Sequence, residues 1–224
     1  MPLISKTRLL EVPQARSVTL TAFDAAGTIL MQPDNCWDIA IIRRAEGGLH
    51  ILRTGLTTRP DVVEHAEGDE ILSISFAPSS FMAMMPGETM RDEAVFLEAF
   101  GRRDFWIGPQ VLEMPDFENA EVFVERLVRQ GLVESNPLVG SIVDGAPKAM
   151  SERTMQRHFL RTTGLTYKHF TLIERAQKAM ALLRMGQRAT DVAFALGYFD
   201  QAHMINSLRQ IMGQTPGEIV SDAE

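Results

Sequence analysis

The stretch from Asp191 to Arg209 constrains the fold of this 224-residue chain more than any other. It predicts a short helix, a sharp turn at Gly197 and a second helix capped by Asp200, because glycine tolerates the left-handed backbone that such a turn needs. Ala193 is small enough to let the two helices approach closely, and Val192 lies on the side that would face the second helix. The stretch therefore predicts two packed helices joined by a tight turn.

The chain around this stretch, from Pro137 onward, carries more helix signals of the same kind. We predict a first helix over 138–143, joined to the next by an unusual connection over 144–147. The residues predicted to cap or open the later helices are Ser151, Thr166, Thr190, Asp200 and Thr215, and the glycines predicted to end them are Gly164, Gly186 and Gly213. The sequence thus predicts an all-α domain over 136–224.

The chain before about Pro115 has a different texture, with short β-type runs separated by turn residues. The predicted strands are 17–23, 39–42, 49–52 and 71–76. In the last of these, strict alternation places Leu72, Ile74 and Phe76 on one face. A helix follows from Glu118, with a predicted apolar stripe of Val122, Leu127, Val128 and Leu132. We therefore predict an α+β fold: a sheet-rich domain over 1–135, then the helical domain.

Composition limits the classes of protein that the chain can belong to. No run approaches 18 consecutive apolar residues, and the N-terminus lacks the apolar run of a signal peptide, so we expect a cytoplasmic protein without a membrane partner. The single cysteine, Cys36, excludes an internal disulfide and any multi-cysteine zinc site. The N-terminal half offers only His50 and His65 as histidine ligands, without a His-x-His pair, so we expect no metal. No convergent set of catalytic acids and bases can be assembled from the sequence, so we expect no enzymatic activity and no cofactor.

Charge is distributed unevenly along the chain. The whole sequence has a net charge of −7, yet residues 148–209 contain 10 basic and 4 acidic side chains. A protein that binds phosphates concentrates its positive charge on one module, and the remainder can be acidic. The charge distribution therefore favours a nucleic-acid partner for the helical domain.

Two helix faces in this domain carry side chains suited to base recognition. In the helix after Ser151, the side chains of Arg153, Gln156 and Arg157 share the face opposite the predicted core. Guanidinium and amide groups can make paired hydrogen bonds to guanine and adenine edges in the major groove. The same pattern is also typical of a solvated helix face. The second helix of the Asp191–Arg209 stretch offers a comparable set in Gln201, Ala202 and Asn206.

Several motifs of the helical domain, taken in order, resemble the DNA-binding domain of AraC/XylS-type regulators. They are Ser-Glu-Arg-Thr-Met-Gln-Arg-His-Phe (151–159), Thr-Gly-Leu-Thr (163–166), Asp-Val-Ala-Phe-Ala-Leu-Gly-Tyr (191–198), Asp-Gln-Ala-His (200–203) and Gly-Gln-Thr-Pro (213–216). The resemblance covers Met150 to Gly217. It implies two helix-turn-helix units joined by one long helix, here Tyr167 to Met185, which enter successive major-groove segments of double-stranded DNA.

The resemblance also implies roles for individual residues. Base reading falls to Arg153, Gln156 and Arg157 in the first unit and to Gln201, Ala202 and Asn206 in the second, and contacts with the DNA backbone fall to Thr166, Lys168, His203 and Arg209. The chain departs from the family pattern at Asn206, where arginine is frequent, and at Ala202, which cannot donate a hydrogen bond. The second unit is therefore expected to read sequence weakly, or through an apolar contact from Ile205 to a thymine methyl group.

The N-terminal half resembles a poorly characterised domain found before such DNA-binding modules. The resemblance rests on Pro-Asp-Asn-Cys-Trp-Asp-Ile (33–39), Phe-Ala-Pro (76–78), Phe81 with Met-Met-Pro-Gly (84–87), and Phe-Trp-Ile-Gly (105–108). It implies a cupin-like domain that senses a small-molecule effector or forms a homodimer, with RNA polymerase as a further expected partner. If an effector pocket exists, its predicted walls are Trp37, Phe76, Phe81 and Trp106.

One rival hypothesis belongs to another class of protein. In it, the N-terminal domain binds a ligand or catalyses a reaction, and the helical tail only mediates protein contacts. The basic segment and the two polar helix faces favour a DNA-binding transcription regulator instead.

Overall fold

A computed structural model of the chain describes residues 4–145 and 151–221. Met150, where the family resemblance begins, and Ala146-Pro147 of the predicted connection lie outside the described residues. The strands are β1 (Ile4–Leu9), β2 (Ala15–Ala22), β3 (Gly27–Met31), β4 (Trp37–Arg43), β5 (Leu49–Thr54), β6 (Asp61–His65), β7 (Glu70–Phe76), β8 (Ser80–Phe81), β9 (Ala94–Leu97), β10 (Ala99–Phe100), β11 (Asp104–Ile107), β12 (Gln110–Glu113) and β13 (Glu134–Ser135).

The strands before the helical region build one large antiparallel sheet and three small ones. The six-stranded sheet has the order β1-β2-β7-β4-β5-β9, and every neighbouring pair is antiparallel. The small sheets are β10-β11-β12, β13-β8 and β3-β6. All four predicted strands are present.

The alternation in β7 decides which face of the large sheet is buried. Leu72, Ile74 and Phe76 are buried, whereas the residues between them remain partly accessible. Trp37 and Ile39 on β4 stand directly opposite Phe76 and Ile74 in the register and are buried with them. Branched and aromatic side chains paired across strands thus form one wall of the core, as the alternation predicts.

The helices are α1 (Gly87–Met90), α2 (Ala120–Arg129), α3 (Pro137–Val143), α4 (Glu152–Thr163), α5 (Tyr167–Arg184), α6 (Ala189–Ala195), α7 (Gln201–Met212) and α8 (Pro216–Ser221). The predicted apolar stripe of α2 is wrong at Val122, which is 62% exposed. The buried residues of this helix are Ala120, Phe123, Val124 and Leu127. These positions follow the i, i+3, i+4, i+7 spacing that places side chains on one helix face, and Val122 lies outside that face.

Most helix boundaries of the C-terminal region follow from their caps. Ser151, Thr166 and Asp200 each accept a hydrogen bond from the backbone N–H three residues later, as predicted. Gly164 and Gly213 end their helices in the left-handed conformation. The prediction for α6 is wrong: this helix starts at Ala189, before Thr190, with the Arg188–Asp191 ion pair across its first turn.

The buried side chains of the sheet-rich and helical regions form one continuous core cluster, from Leu10 to Ile219. The fold is therefore α+β, with a sheet-rich region followed by a helical region packed against it. Among the helices in the described ranges, none is both long and apolar enough to span a membrane.

Candidate nucleic-acid interface

Helices α3 and α4 contact each other and stand where the sequence predicts the first helix-turn-helix unit. Met155 and Phe159 face inward from α4, and the Phe159 ring meets the rings of Tyr167 and Phe170 edge-on at 5.3 Å between centroids. These contacts bury about 150–250 Å² for each aromatic side chain and fix α4 against the start of α5. This packing buries the apolar face of α4 and leaves its polar face exposed.

The outward face of α4 carries the predicted base-reading residues of the first unit. Arg153, Gln156 and Arg157 are all exposed. Ser151 accepts a hydrogen bond from the Thr154 N–H at 3.3 Å and so fixes the start of the helix. Three adjacent positions on a well-anchored helix therefore offer two guanidinium forks and an amide to a partner surface.

Helices α6 and α7 form the second unit. Val192 and Ala193 on α6 are buried, as are Met204 and Leu208 on α7. Gly197 adopts a φ of 68° between the two helices, a conformation that residues with a Cβ rarely adopt. The predicted helix-turn-helix geometry of this stretch is therefore confirmed.

The exposed start of α7 carries the predicted base-reading residues of the second unit. Gln201, Ala202 and Asn206 are exposed, whereas Ile205 beside them is half-buried. Asp200 caps the helix by accepting the His203 N–H at 2.7 Å. The outward face of α7 is consequently less cationic than that of α4.

The four predicted backbone-contacting residues also lie at the surface. Thr166, Lys168, His203 and Arg209 are exposed. Nδ1 of His203 accepts the Phe199 N–H at 3.3 Å, which leaves Nε2 as the nitrogen able to donate outward. The structure thus brings none of the ten predicted contact residues into the core.

Helix α5 joins the two units and is 18 residues long. At about 1.5 Å of rise per residue it spans roughly 27 Å. Its buried residues are Phe170, Ile173, Ala176, Ala179, Met180 and Leu183. Near its middle, the guanidinium of Arg175 lies over the Tyr198 ring at 4.4 Å, a cation–π contact that ties the linker to the second unit.

The predicted effector-pocket residues occupy two separate places. Trp37 and Phe76 are buried and stack at 3.9 Å with nearly parallel rings, and Trp37 Nε1 donates to the Ser80 carbonyl beside Phe81. Trp106 instead meets the Phe100 ring edge-on within the β10-β11-β12 sheet. The pocket therefore stays a prediction, and its first two residues serve the core.

A cleft that the sequence did not indicate opens where the sheet-rich region meets the start of α5. It has a volume of about 300 Å³ and is lined by Thr58, Arg91, Asp92, Leu165, Thr166 and His169. The lining residues come from segments far apart in sequence, so no local pattern could have predicted it.

Buried charge in the sheet-rich region was also missed. Arg53 is 1% exposed, lies 4.6 Å from the Trp37 ring, and donates to the Thr54 carbonyl. Burial lowers the pKa of Arg53 to about 10, and the Asp38 carboxylate opposes this shift. Asp38 in turn accepts hydrogen bonds from Ser73 and Ser75, which lower its pKa, whereas burial raises it overall. These partners give Asp38 a structural role in the sheet.

A family model described as a helix-turn-helix domain matches residues 148–221. Among solved structures, the chain is similar to ToxT from Vibrio cholerae at 8% identity and a TM-score of 0.45, covering 97% of this chain and 98% of that one. A structure of ToxT from Vibrio cholerae O395 bound to (E)-4-(8-methylnaphthalen-1-yl)but-3-enoic acid gives 10% identity, a TM-score of 0.46 and coverage of 98% and 99%. Comparison with curated proteins finds no match.

Proposed function

We propose that residues 148–221, which match a family model described as a helix-turn-helix domain, form an AraC-type DNA-binding domain, and that the chain is a transcription regulator that reads two adjacent major-groove segments with α4 and α7. The observation that carries the proposal is the exposure of both predicted recognition faces on capped, well-packed helices. In this proposal, residues 136–224 bind DNA and residues 1–135 form an effector-sensing or dimerisation domain. The protein acts in the cytoplasm.

Helix α4 supplies most of the sequence specificity. Arg153 and Arg157 each donate through a planar fork, which matches the O6 and N7 acceptors of guanine, and Gln156 matches the N6 and N7 groups of adenine. The exposed cations of the domain neutralise phosphates and release counterions, which provides affinity independent of sequence. Phosphate contacts from Lys168 and Arg209 fix the register.

Helix α7 supplies a weaker second reading. Ala202 has no donor or acceptor side-chain group, so it contributes contact area and no hydrogen bond. Asn206 can pair with adenine, and Ile205 can contact a thymine methyl group. Asn206→Ala should therefore alter sequence preference less than Arg157→Ala does.

The sheet-rich domain regulates DNA binding in this proposal. A small-molecule effector binds it, at a site other than the stacked rings of Trp37 and Phe76, which are packed in the core. A homodimer and a contact with RNA polymerase are further proposed partners. The cleft at the start of α5 is lined by residues of both regions, so a ligand bound there would contact the DNA-binding domain directly.

The test is fluorescence-anisotropy binding of the full chain to DNA from upstream of its own gene, against scrambled DNA, at salt concentrations from about 50 to 200 mM. Tighter binding to the native fragment, falling steeply with salt, is expected. Arg153→Ala and Arg157→Ala should each cost about 1–3 kcal/mol at one base position. Arg129→Ala removes the same charge from α2, outside the proposed interface, and is the matched control.

Two results would contradict the proposal. Equal loss of affinity on native and scrambled DNA would show that the arginines meet phosphate alone. Failure of the folded protein to bind either DNA at low salt, with and without candidate effectors, would remove DNA binding itself.

A further inference from the structure

The sheet-rich region contacts both recognition helices, and it contacts each one at its C-terminal end. Helix α4 presents Arg153 near its start, whereas Thr162 near its end packs against α1. Helix α7 presents Gln201 at its start, whereas the carbonyl of its last residue, Met212, accepts a hydrogen bond from Gln32. The end that would meet DNA and the end that is held are opposite ends of the same helix.

The contact at the end of α4 is made by backbone against backbone. A Cβ at Gly87 would collide with the carbonyl of Thr162, and a Cβ at Gly164 would collide with the carbonyl of Gly87. Only glycine permits so close an approach at these two positions. Asn136 adds a hydrogen bond from Nδ2 to Thr162 Oγ1 at 2.9 Å, so the end of α4 is held on two sides.

The contact at the end of α7 is made by one side chain. Gln32 Nε2 donates to the Met212 carbonyl at 2.8 Å and lies 2.9 Å from Gln214 Oε1. The last carbonyls of a helix have no partner within the helix, so this donor satisfies a group that would otherwise need water. Gly213 follows with a φ of 73°, and a Cβ there would lie 2.9 Å from Cγ of Pro60.

The same segment of the sheet-rich region also reaches the linker helix. Asn35, which is 1% exposed, donates from Nδ2 to the Phe170 carbonyl at 3.0 Å. Gln177 on α5 donates to the Pro33 carbonyl at 3.1 Å. We call Gln32–Asn35 the docking segment. It contacts both the linker and the second unit, whereas Gly87 contacts the first unit.

These contacts leave the recognition faces open. The six predicted base-reading side chains remain exposed although the sheet-rich region contacts the helices that carry them. Docking therefore restrains the two units without covering the surface that would meet DNA.

We infer that Gln32 and Gly87 are positioning residues through which the sheet-rich region sets the spacing between α4 and α7 on DNA. This inference rests on the proposed function. Two helix-turn-helix units that read the same DNA face lie about one helical turn, roughly 34 Å, apart. Helix α5 is joined to each unit through a short connection that contains a glycine, Gly164 on one side and Gly186 on the other. A second attachment at each unit removes the freedom that these connections leave.

The experiment measures how strictly the protein requires one spacing. DNA bound by the full-length protein is first selected from a random library, and base pairs are then inserted or removed between the two protected segments. Wild-type protein should lose at least about tenfold in affinity for a shift of one base pair, since the shift displaces one segment by about 3.4 Å. Gln32→Ala should reduce that loss to about threefold or less, because the second unit gains freedom.

A second variant and a control separate positioning from general destabilisation. Gly87→Ala disturbs the other contact and should flatten the spacing profile in the same way. Gln130→Ala alters an exposed glutamine after α2, outside both contacts, and should leave the profile unchanged. Thermal unfolding of each variant identifies the temperature below which all of them are folded, and binding is measured there.

Each remaining outcome contradicts a different statement. Unchanged spacing profiles in both Gln32→Ala and Gly87→Ala would overturn the inference and leave the proposed function intact. Tighter binding of either variant at every spacing would also overturn it, because docking would then oppose DNA binding. If the wild-type protein selects no DNA sequence at all, the proposed function fails and the inference fails with it.

Discussion

Asn136 links the two helices of the first unit, and its removal should cost about 2 kcal/mol of unfolding free energy. Its Oδ1 accepts the Val139 N–H at the start of α3, and its Nδ2 donates to Thr162 Oγ1 near the end of α4. Loss of an N-cap side chain costs about 1 kcal/mol. Loss of a hydrogen bond to a largely buried hydroxyl costs about 1 kcal/mol more, since Thr162 is 3% exposed.

A double-mutant cycle separates these two contributions. Urea unfolding is followed by circular dichroism at pH 7 for wild type, Asn136→Ala, Thr162→Val and the double variant. We expect a coupling energy of about 1 kcal/mol, because each single substitution removes the same hydrogen bond. Asn136→Asp should retain most of the stability, since a carboxylate still caps α3 and can accept from the Thr162 hydroxyl.

The reasoning would be refuted if both single variants were destabilised and their effects added to within about 0.3 kcal/mol. Asn136 and Thr162 would then contribute independently, and the 2.9 Å contact between them would carry no net stability.

Two further predictions concern the sheet-rich region. Burial alone would raise the pKa of Asp69, but the N–H groups of Ala66 and Ala45 and the Arg44 guanidinium outweigh it and lower the pKa to about 2. Asp69→Asn should therefore lower the free energy of unfolding by about 2 kcal/mol at pH 7. Urea unfolding should show this loss shrinking as the pH falls from about 4 towards 2, because Asp69 stabilises the fold only while its carboxylate is charged. An equal loss at every pH would contradict this. Cys36 is 5% exposed, and burial followed by the nearby Asp34 charge raises the pKa of its thiol. Its alkylation in the native protein should be at least about tenfold slower than in urea, and equal rates would show that the thiol is accessible.

The boundaries of the C-terminal helices could be predicted from sequence because their causes are local. A cap such as Ser151 or Asp200 acts on an N–H only three residues away, and Gly164 changes the backbone at its own position. Thr190 shows the limit of this reasoning. Threonine is a good cap, yet the helix begins at Ala189, one residue before Thr190. Arg188 stands at the N-cap position and forms an ion pair with Asp191 across the first turn.

The predicted DNA-contacting surface follows from the same local periodicity. Arg153, Gln156 and Arg157 are exposed because Met155 and Phe159 occupy the opposite face of α4. Periodicity was less informative in α2, where Val122 is apolar and was assigned to the buried stripe but lies outside it. An apolar residue alone does not reveal which of two overlapping helical spacings the core selects.

The sequence by itself determined the two-part organisation of this chain, its helix ends and the residues on each helix face, since all of these depend on neighbours within one or two turns. Only the tertiary structure decided that Trp37 stacks on Phe76, and that Gln32 reaches Met212 across 180 positions of sequence. Contacts of this kind form between surfaces that are created by packing. The residues that form such contacts share no local pattern, because the sequence around a glutamine does not reveal whether its side chain binds a distant helix end or lies in solvent.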